Sequence, residues 1–438
     1  MHVLKAYQYD GSHRLLQYLK QRNVAYLFDE PGLGKTAQAI EVSKNYVGRV
    51  LVVCPATLKH NWLRELIMWG VDELDVSVLP DVKIINSKYV IVNYDQLRKF
   101  SAALASMAWK LIIIDEAHYV KNEKAQRTRT LIEIIQKSQA KVLAMTGTPV
   151  SNRPKDLIDL RANLENWTNK ERWHDYFFFC GAKKVKIGRK EVWDISGAQN
   201  LDIFNRERII NISVRRTKKH VLTELHGVQR TLIELDNKNG KIAEREYREL
   251  MQAIDAVGFD EAIRQLPNGF SNDDGGSFAA RRQAVALEKL PDCINFIDDL
   301  LAAEQKIVVF AWHKAVIAKL REHYGEICVV LDGSTPQKER ESAIVEFQLG
   351  AKAKVFIGNI KAAGIGITLT AASHVVFVET TFVPSDIEQA ESRLDRLGQT
   401  QLVNSYFLVQ KKSIDSVILK KVLKKERTIA QIFSQSER

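Results

Sequence analysis

The stretch Phe28–Thr36, FDEPGLGKT, ends in Gly32-Leu33-Gly34-Lys35-Thr36. Glycines before a Lys-Thr pair let a turn expose successive backbone N–H groups, and a helix starting there adds its positive dipole end. Both suit phosphate oxygens. Lys35 would reach the outer phosphates and the Thr36 hydroxyl would bind Mg2+. The strict loop pattern has glycine six residues before the lysine, where this chain has Asp29. Further on, LIIIDEAH (111–118) ends an apolar run in Asp115 and Glu116. Asp115 there would hold Mg2+, and Glu116 would polarise the attacking water. Arg393 and Arg396 lie three apart in QAESRLDRLGQ (389–399) and share a helix face. Taken singly, each feature has a plainer reading: a glycine turn with a chance lysine, a solvated strand end, a solvated helix face.

The elements that must position these residues are alternating strands and helices. The runs VAYLF (24–28), RVLVVCP (49–55), KYVIVNY (88–94), WKLIIID (109–115) and KVLAMTG (141–147) are continuously apolar. Such runs between helical patterns indicate a parallel sheet covered on both faces. KIVVFAW (306–312), EICVVLDG (326–333), AKVFIGN (353–359), HVVFVE (374–379) and NSYFLV (404–409) repeat the style, so the fold class is α/β with two such units. Residues 151–222 read as mostly helical, and QLPNGFSNDDGGSF (265–278) reads as a mobile linker loop. The C-terminal KKVLKKERTIAQIF reads as a basic amphipathic helix.

The 438 residues suit two to three domains. No long uncharged apolar run is present, and MHVLKAYQYDG lacks the layout of a secretory signal, so no membrane segment is expected. The four cysteines, Cys54, Cys180, Cys293 and Cys328, form no C-x-x-C pair. That disfavours a disulfide framework or zinc site and points to a reducing cytoplasm. A formal charge of +11 favours a polyanionic partner, most simply nucleic acid, or marks a merely well-solvated basic protein.

Together, DEPGLGKT (29–36) and DEAH (115–118) resemble the superfamily-two helicase ATPases, in particular the Swi/Snf-type DNA translocases. Their loop carries aspartate where the strict pattern has glycine, so Asp29 becomes a family mark. Other segments resemble the family's motifs in order. Tyr7-Gln8 resembles the Gln motif, with Gln8 on adenine. VVCPATLKHNW and VNYDQL resemble motifs Ia and Ib. LAMTGTPVSN (143–152) resembles motif III, implying that Thr146, Gly147 and Thr148 couple ATP state to DNA contact. FAWHK (310–314) and LDGSTPQKERESAIVEF (331–347) resemble motif IV and its successor. AAGIGITLTAASHVVFVE (362–379) resembles motif V, implying Gly364 and Gly366 near the nucleotide. QAESRLDRLGQ resembles motif VI, implying that Arg393 and Arg396 reach the γ-phosphate. Ser392 and Asp395 stand where the family usually has Asp and His, so the support of these arginines differs.

The resemblance implies two RecA-like parallel-sheet domains in tandem, with a helical insertion between motif III and the second. The expected divisions are 1–150 for the first domain and 151–230 for the insertion with a return to it. Residues 231–290 form a helical linker, and 291–438 the second domain with a C-terminal helix. KNEKAQRTR, WDISGAQNL (193–201) and VRRTKKHVLTEL (214–225) resemble the HARP-type annealing-helicase branch, and a bare motor lacking that branch's accessory modules is the expectation. The expected activity is therefore ATP- and Mg2+-dependent translocation on double-stranded or forked DNA by a monomer, with annealing or fork remodelling as a narrower expectation. A bacterial or phage-infected cytoplasm is the expected setting. By family match Thr57, Lys59 and Asn93, then His313, Lys314 and Thr368, contact backbone phosphates. GAKKVKIGRK (181–190) is either a DNA-facing loop or a solvated one. An RNA-directed helicase, or a nucleic-acid-binding module with a slow ATPase switch, are the alternatives.

Overall fold

The computed structural model describes residues 3–80, 87–187, 190–222, 225–236, 241–257, 262, 278–303, 306–333, 335–360, 367–396 and 398–433. The chain divides into two compact units, Met1–Thr223 with Lys425–Arg438, and Glu224–Lys424.

The first unit is built on β1 (Val24–Leu27), β2 (Arg49–Cys54), β3 (Val76–Val78), β4 (Tyr89–Asn93), β5 (Trp109–Asp115) and β6 (Lys141–Met145). A hairpin, β7 (Lys183–Ile187) and β8 (Lys190–Asp194), and the short β9 (Ser213–Val214) follow. The main sheet runs β3-β4-β2-β5-β6-β1-β9, all parallel. Its strands are apolar at nearly every position because both faces are covered. In β2, Val50 and Val52 pack on one side with Leu15, Ile40 and Trp62. Leu51 and Val53 pack on the other with Leu131, Ile134 and Leu157. Each such burial stabilises by about 1.5–3 kcal/mol. Truncating one, as in Val52→Ala, would leave a cavity between sheet and helices. In register, Leu27 pairs with Met145 and Ile114 with Val53. The carboxyl ends of the strands therefore gather along one edge, where open α/β sheets bind ligands.

The second unit is a sheet in the order β10-β15-β14-β11-β13-β12, also parallel throughout. Its strands are β10 (Val228–Leu235), β11 (Ile307–Ala311), β12 (Cys328–Leu331), β13 (Val355–Asn359), β14 (His374–Phe377) and β15 (Val403–Gln410). Two tandem parallel α/β units thus carry the fold expected from the sequence.

Three segments differ from the sequence expectation. Val228–Leu235, placed by the sequence reading between an insertion and a helical linker, is an edge strand of the second sheet. Half of its positions stay open to solvent, so it lacks the unbroken apolar run that marks a central strand. The helix Ile414–Phe433 was expected wholly in the second domain, yet residues 425–438 group with the first unit, and Ile432 is buried in that unit's core. The insertion holds the helices Pro154–Leu164 and Asn169–Cys180 but also the antiparallel β7–β8 hairpin. The linker loop 265–278 lies, but for its last residue, outside the described residues.

Candidate active site

β1 runs into the turn at Gly32 and Gly34, and the helix Lys35–Lys44 starts at once. Both glycines have positive φ, +91° and +73°. At Gly34 a Cβ would also collide with the Gln8 amide nitrogen, so the position needs glycine twice over. Gln8 donates from Nε2 to the Leu33 carbonyl (3.3 Å) and accepts from Lys5 N–H at Oε1 (2.9 Å). Tyr7 donates its hydroxyl to the same Leu33 carbonyl at 3.2 Å. The Gln motif is thus fastened to the loop. Lys35 Nζ donates to the carbonyls of Asp29 (3.0 Å) and Glu30 (3.4 Å), curled over the turn it would share with phosphate.

Asp29 has a structural reason. Its carboxylate is fully buried, accepting from Gln38 Nε2 at 2.9 Å and from Arg216 Nη2 and Nε at 2.7 and 3.1 Å. Arg216 also donates to Gln38 Oε1 and to the Tyr7 carbonyl. A buried carboxylate is costly without a partner. This one ties the loop to the end of β9, to the helix behind it and to the Gln motif. A Cβ on Gly11 would run into Arg216 and Gln38, so the helix Ala6–Gln21 carries glycine where the network passes.

β5 delivers the acidic pair. Asp115 is buried; its Oδ2 accepts from Trp62 Nε1 at 2.9 Å and its Oδ1 from Glu116 N–H at 3.0 Å. Burial, then the neighbouring Glu116, push its carboxyl up to about 6, against the pull of the Trp62 hydrogen bond and the Lys35 ammonium. That Lys35 acts on Asp115 brings the two halves of the site together. Glu116 takes a left-handed backbone, φ +52°. Such conformations cost about 1–3 kcal/mol and gather at functional sites. Its Oε2 lies 3.3 Å from His118 Nδ1 and 3.5 Å from Thr146 Oγ1, and His118 and Thr146 are 3.2 Å apart. Thr146 Oγ1 also accepts from Thr148 N–H at 3.2 Å. Gly147 faces Pro31 and Lys35: a Cβ would stand 2.8 Å from Pro31 Cγ and 3.2 Å from Lys35 Nζ. Gln8, the loop, Asp115, Glu116 and residues 146–148 therefore form one constellation in the first unit.

The donor set fits Mg2+. Among the described residues no group of three or more His, Cys, Asp or Glu could hold a metal unaided. Thr36 and Asp115 offer hard oxygens, and Mg2+ is the cation that binds through one or two such ligands and completes its shell with water and phosphate.

Thr57 lies in the turn after β2 and Asn93 ends β4, on the same sheet edge. Among the described residues, Thr57 Oγ1 and Asn93 Oδ1 are buried without a hydrogen-bond partner. Lys59 Nζ donates to the Leu79 carbonyl at 2.7 Å. In the second unit His313 follows β11, with Nδ1 2.5 Å from Glu379 Oε1, while Lys314 opens the next helix, exposed. Arg396 Nη1 donates to Thr368 Oγ1 (2.8 Å) and the Ile367 carbonyl (3.0 Å). Arg393 is buried, and both arginines lie in the turn that follows the helix Pro384–Glu391, so they do not share the helix face their spacing suggested. Gly364 and Gly366 lie outside the described residues. Sequence reasoning singled out neither Arg216 nor Trp62. A lone buried aspartate calls for a cation, and an indole beside a strand-end carboxylate can donate to it, but neither signal names its partner.

Residues 7–257 match the SNF2-related domain and residues 288–398 the helicase conserved C-terminal domain. The human DNA annealing helicase and endonuclease ZRANB3 is 32% identical over 435 residues, covering 95% of this chain and 39% of that protein. The Xenopus laevis SWI/SNF-related matrix-associated actin-dependent regulator of chromatin subfamily A-like protein 1 is 30% identical, covering 92% of this chain and 42% of that one. The chain thus spans about two fifths of the length of these relatives. A solved Sulfolobus solfataricus SWI2/SNF2 ATPase core in complex with dsDNA aligns over 99% of this chain and 93% of that one, at 21% identity and a TM-score of 0.45. Among the described residues no helix is long and apolar enough to cross a membrane. With the SNF2-related match covering more than half its length, the chain belongs to the SNF2-related ATPases, akin to the annealing helicases.

Proposed function

We propose that this chain is an ATP- and Mg2+-dependent translocase on double-stranded DNA, with strand annealing or fork remodelling as its outcome rather than processive unwinding. Lys35 exchanges the Asp29 and Glu30 carbonyls for the outer phosphates of ATP. Thr36 and Asp115 would hold Mg2+, which neutralises charge on those phosphates. Glu116 accepts a hydrogen bond from the attacking water and orients it. Gln8 recognises adenine from its seat against the loop. The cycle alternates between states that differ in affinity for ATP and for DNA.

The observation that carries this reading is the contact of Glu116 with Thr146. The carboxylate that orients water is tied to segment 146–148, so a change at the phosphates is felt by a segment suited to coupling. The net charge of +11 supports a polyanionic track. Thr57, Lys59, Asn93, His313, Lys314 and Thr368 are proposed to touch backbone phosphates, since a motor that must pass any sequence gains nothing from reading bases. The human relative's designation as a DNA annealing helicase supports the narrower activity.

The test is ATP hydrolysis without nucleic acid and with single-stranded, duplex and forked DNA and RNA, at one stated salt concentration. Strong stimulation by duplex or forked DNA is expected, with fork preference marking the annealing activity. Stimulation by RNA alone, or full turnover without nucleic acid, would overturn the reading.

A further inference from the structure

The insertion of the first unit ends in an exposed surface that the ATPase chemistry does not use. The helix Asn169–Cys180 buries Asp175, Tyr176, Phe179 and Cys180 on its inner side. Its outer side leaves Phe177 and Phe178 open, at 48% and 39% exposure. The β7–β8 hairpin lays Trp193 against it, 42% exposed, with ring centres 4.9 Å from Trp173 and 5.4 Å from Phe177. Lys184 lies over Trp193 at 5.8 Å and directly across the hairpin from it. Its pairing with Glu191, at 3.5 Å between two well-exposed side chains, restrains it little. Lys186, two positions on and therefore on the same face as Lys184, is exposed too. Between residues 183 and 194 five basic residues face two acidic ones.

Clustered rings left open to water are unusual on a soluble surface and mark an interaction site. Rings flanked by lysines fit one chemistry best. A nucleobase offers a flat π-face to the ring, and its phosphate meets the ammonium groups. A paired duplex hides its base faces within the stack, so such a surface engages unpaired nucleotides. We infer that the Phe177–Trp193 surface with Lys184 is a stacking platform for single-stranded DNA, such as the unpaired arm of a branched substrate. The choice of DNA rests on the translocase reading above. The platform itself is a second nucleic-acid contact, separate from residues that touch duplex phosphates.

The experiment measures binding of a fluorescent oligothymidylate and of a duplex of equal length, without ATP, at fixed salt. Phe177→Ala combined with Trp193→Ala should weaken oligothymidylate binding about tenfold or more, the loss of one to two stacked bases. Duplex binding and duplex-stimulated ATPase should remain unchanged. Trp193→Phe, which keeps an aromatic face and the packing on Trp173, should restore most of the affinity. Replacing Lys184 and Lys186 with glutamine should flatten the salt dependence by about 1.4 units of slope. Unchanged oligothymidylate binding in the double alanine variant would overturn the inference. So would concentration-dependent self-association that the same variant abolishes while oligothymidylate affinity stays intact. Because binding is read without ATP, failure of DNA to stimulate turnover would sink the translocase reading and leave this measurement standing.

Discussion

Arg216 holds both carboxylate oxygens of Asp29 from 187 residues away, at 2.7 and 3.1 Å. The aspartate that breaks the strict phosphate-loop pattern is therefore the anchor of the loop. Breaking a buried ion pair by removing one partner costs about 3–5 kcal/mol, because the other charge stays buried. Arg216→Ala should accordingly lower the urea midpoint of the first unit and weaken binding of a fluorescent ATP analogue. The sharper test is Asp29→Gly, which restores the strict pattern. It should weaken nucleotide binding as well, since Arg216 and Gln38 lose their partner. If Asp29→Gly bound ATP as well as the wild type, the anchoring role would be wrong.

Trp62 is fully buried, yet its one polar atom donates to Asp115 Oδ2 at 2.9 Å. Trp62→Phe keeps most of the ring and removes that donor. A hydrogen bond to a charged group is worth about 1.5–3 kcal/mol. The carboxylate then loses its fixed orientation, and the Mg2+ concentration for half-maximal ATPase should rise several-fold. An indole that served only packing would leave the Mg2+ dependence where it was and change stability alone.

Glu116 occupies a left-handed backbone position, with His118 and Thr146 at its carboxylate. Glu116→Gln preserves shape and removes the charge that polarises water. It should bind ATP normally and lose turnover by about 10²-fold or more, whereas Lys35→Ala should lose nucleotide binding itself. Rapid-quench turnover beside equilibrium binding separates the two. Wild-type turnover by Glu116→Gln would remove Glu116 from the proposed role.

How much of this was legible in the sequence depended on distance and on burial. Lys35, Thr36, Asp115 and Glu116 sit in short contiguous runs, and Val50–Cys54 and Leu111–Ile114 are apolar because both sheet faces are covered. Val228–Leu235 was not legible as a strand, because an edge strand leaves half its residues wet. Ser213–Val214 is too short to show any period. The β7–β8 hairpin does alternate, but its lysines read equally as a solvated loop. Arg216 and Trp62 lie 187 and 53 residues from the carboxylates they hold. With 64 Lys and Arg in the chain, a buried aspartate announces that it needs a cation without saying which.

In the second unit, Glu379 is buried after β14, accepting from the backbone N–H groups of Trp312 (2.8 Å) and His313 (2.9 Å). The His313 ring closes on its other oxygen at 2.5 Å, and Arg282 and Lys289 lie near enough to feel its charge. Burial alone would raise its carboxyl. The His313 contacts and the Trp312 N–H outweigh that and hold it below its ordinary 4.5. A folded value below the unfolded one means that the unfolded chain binds the proton more readily, so stability falls as the solution is acidified. The contribution should be complete above about pH 5 and lost as pH drops through the lowered value. Urea midpoints of the second unit between pH 3 and 7 should show this decline in the wild type. Glu379→Gln should lie lower at pH 7, because the charge-assisted bonds become neutral ones, and show a flatter acid limb. An acid limb as steep as the wild type's would mean that another carboxylate governs it.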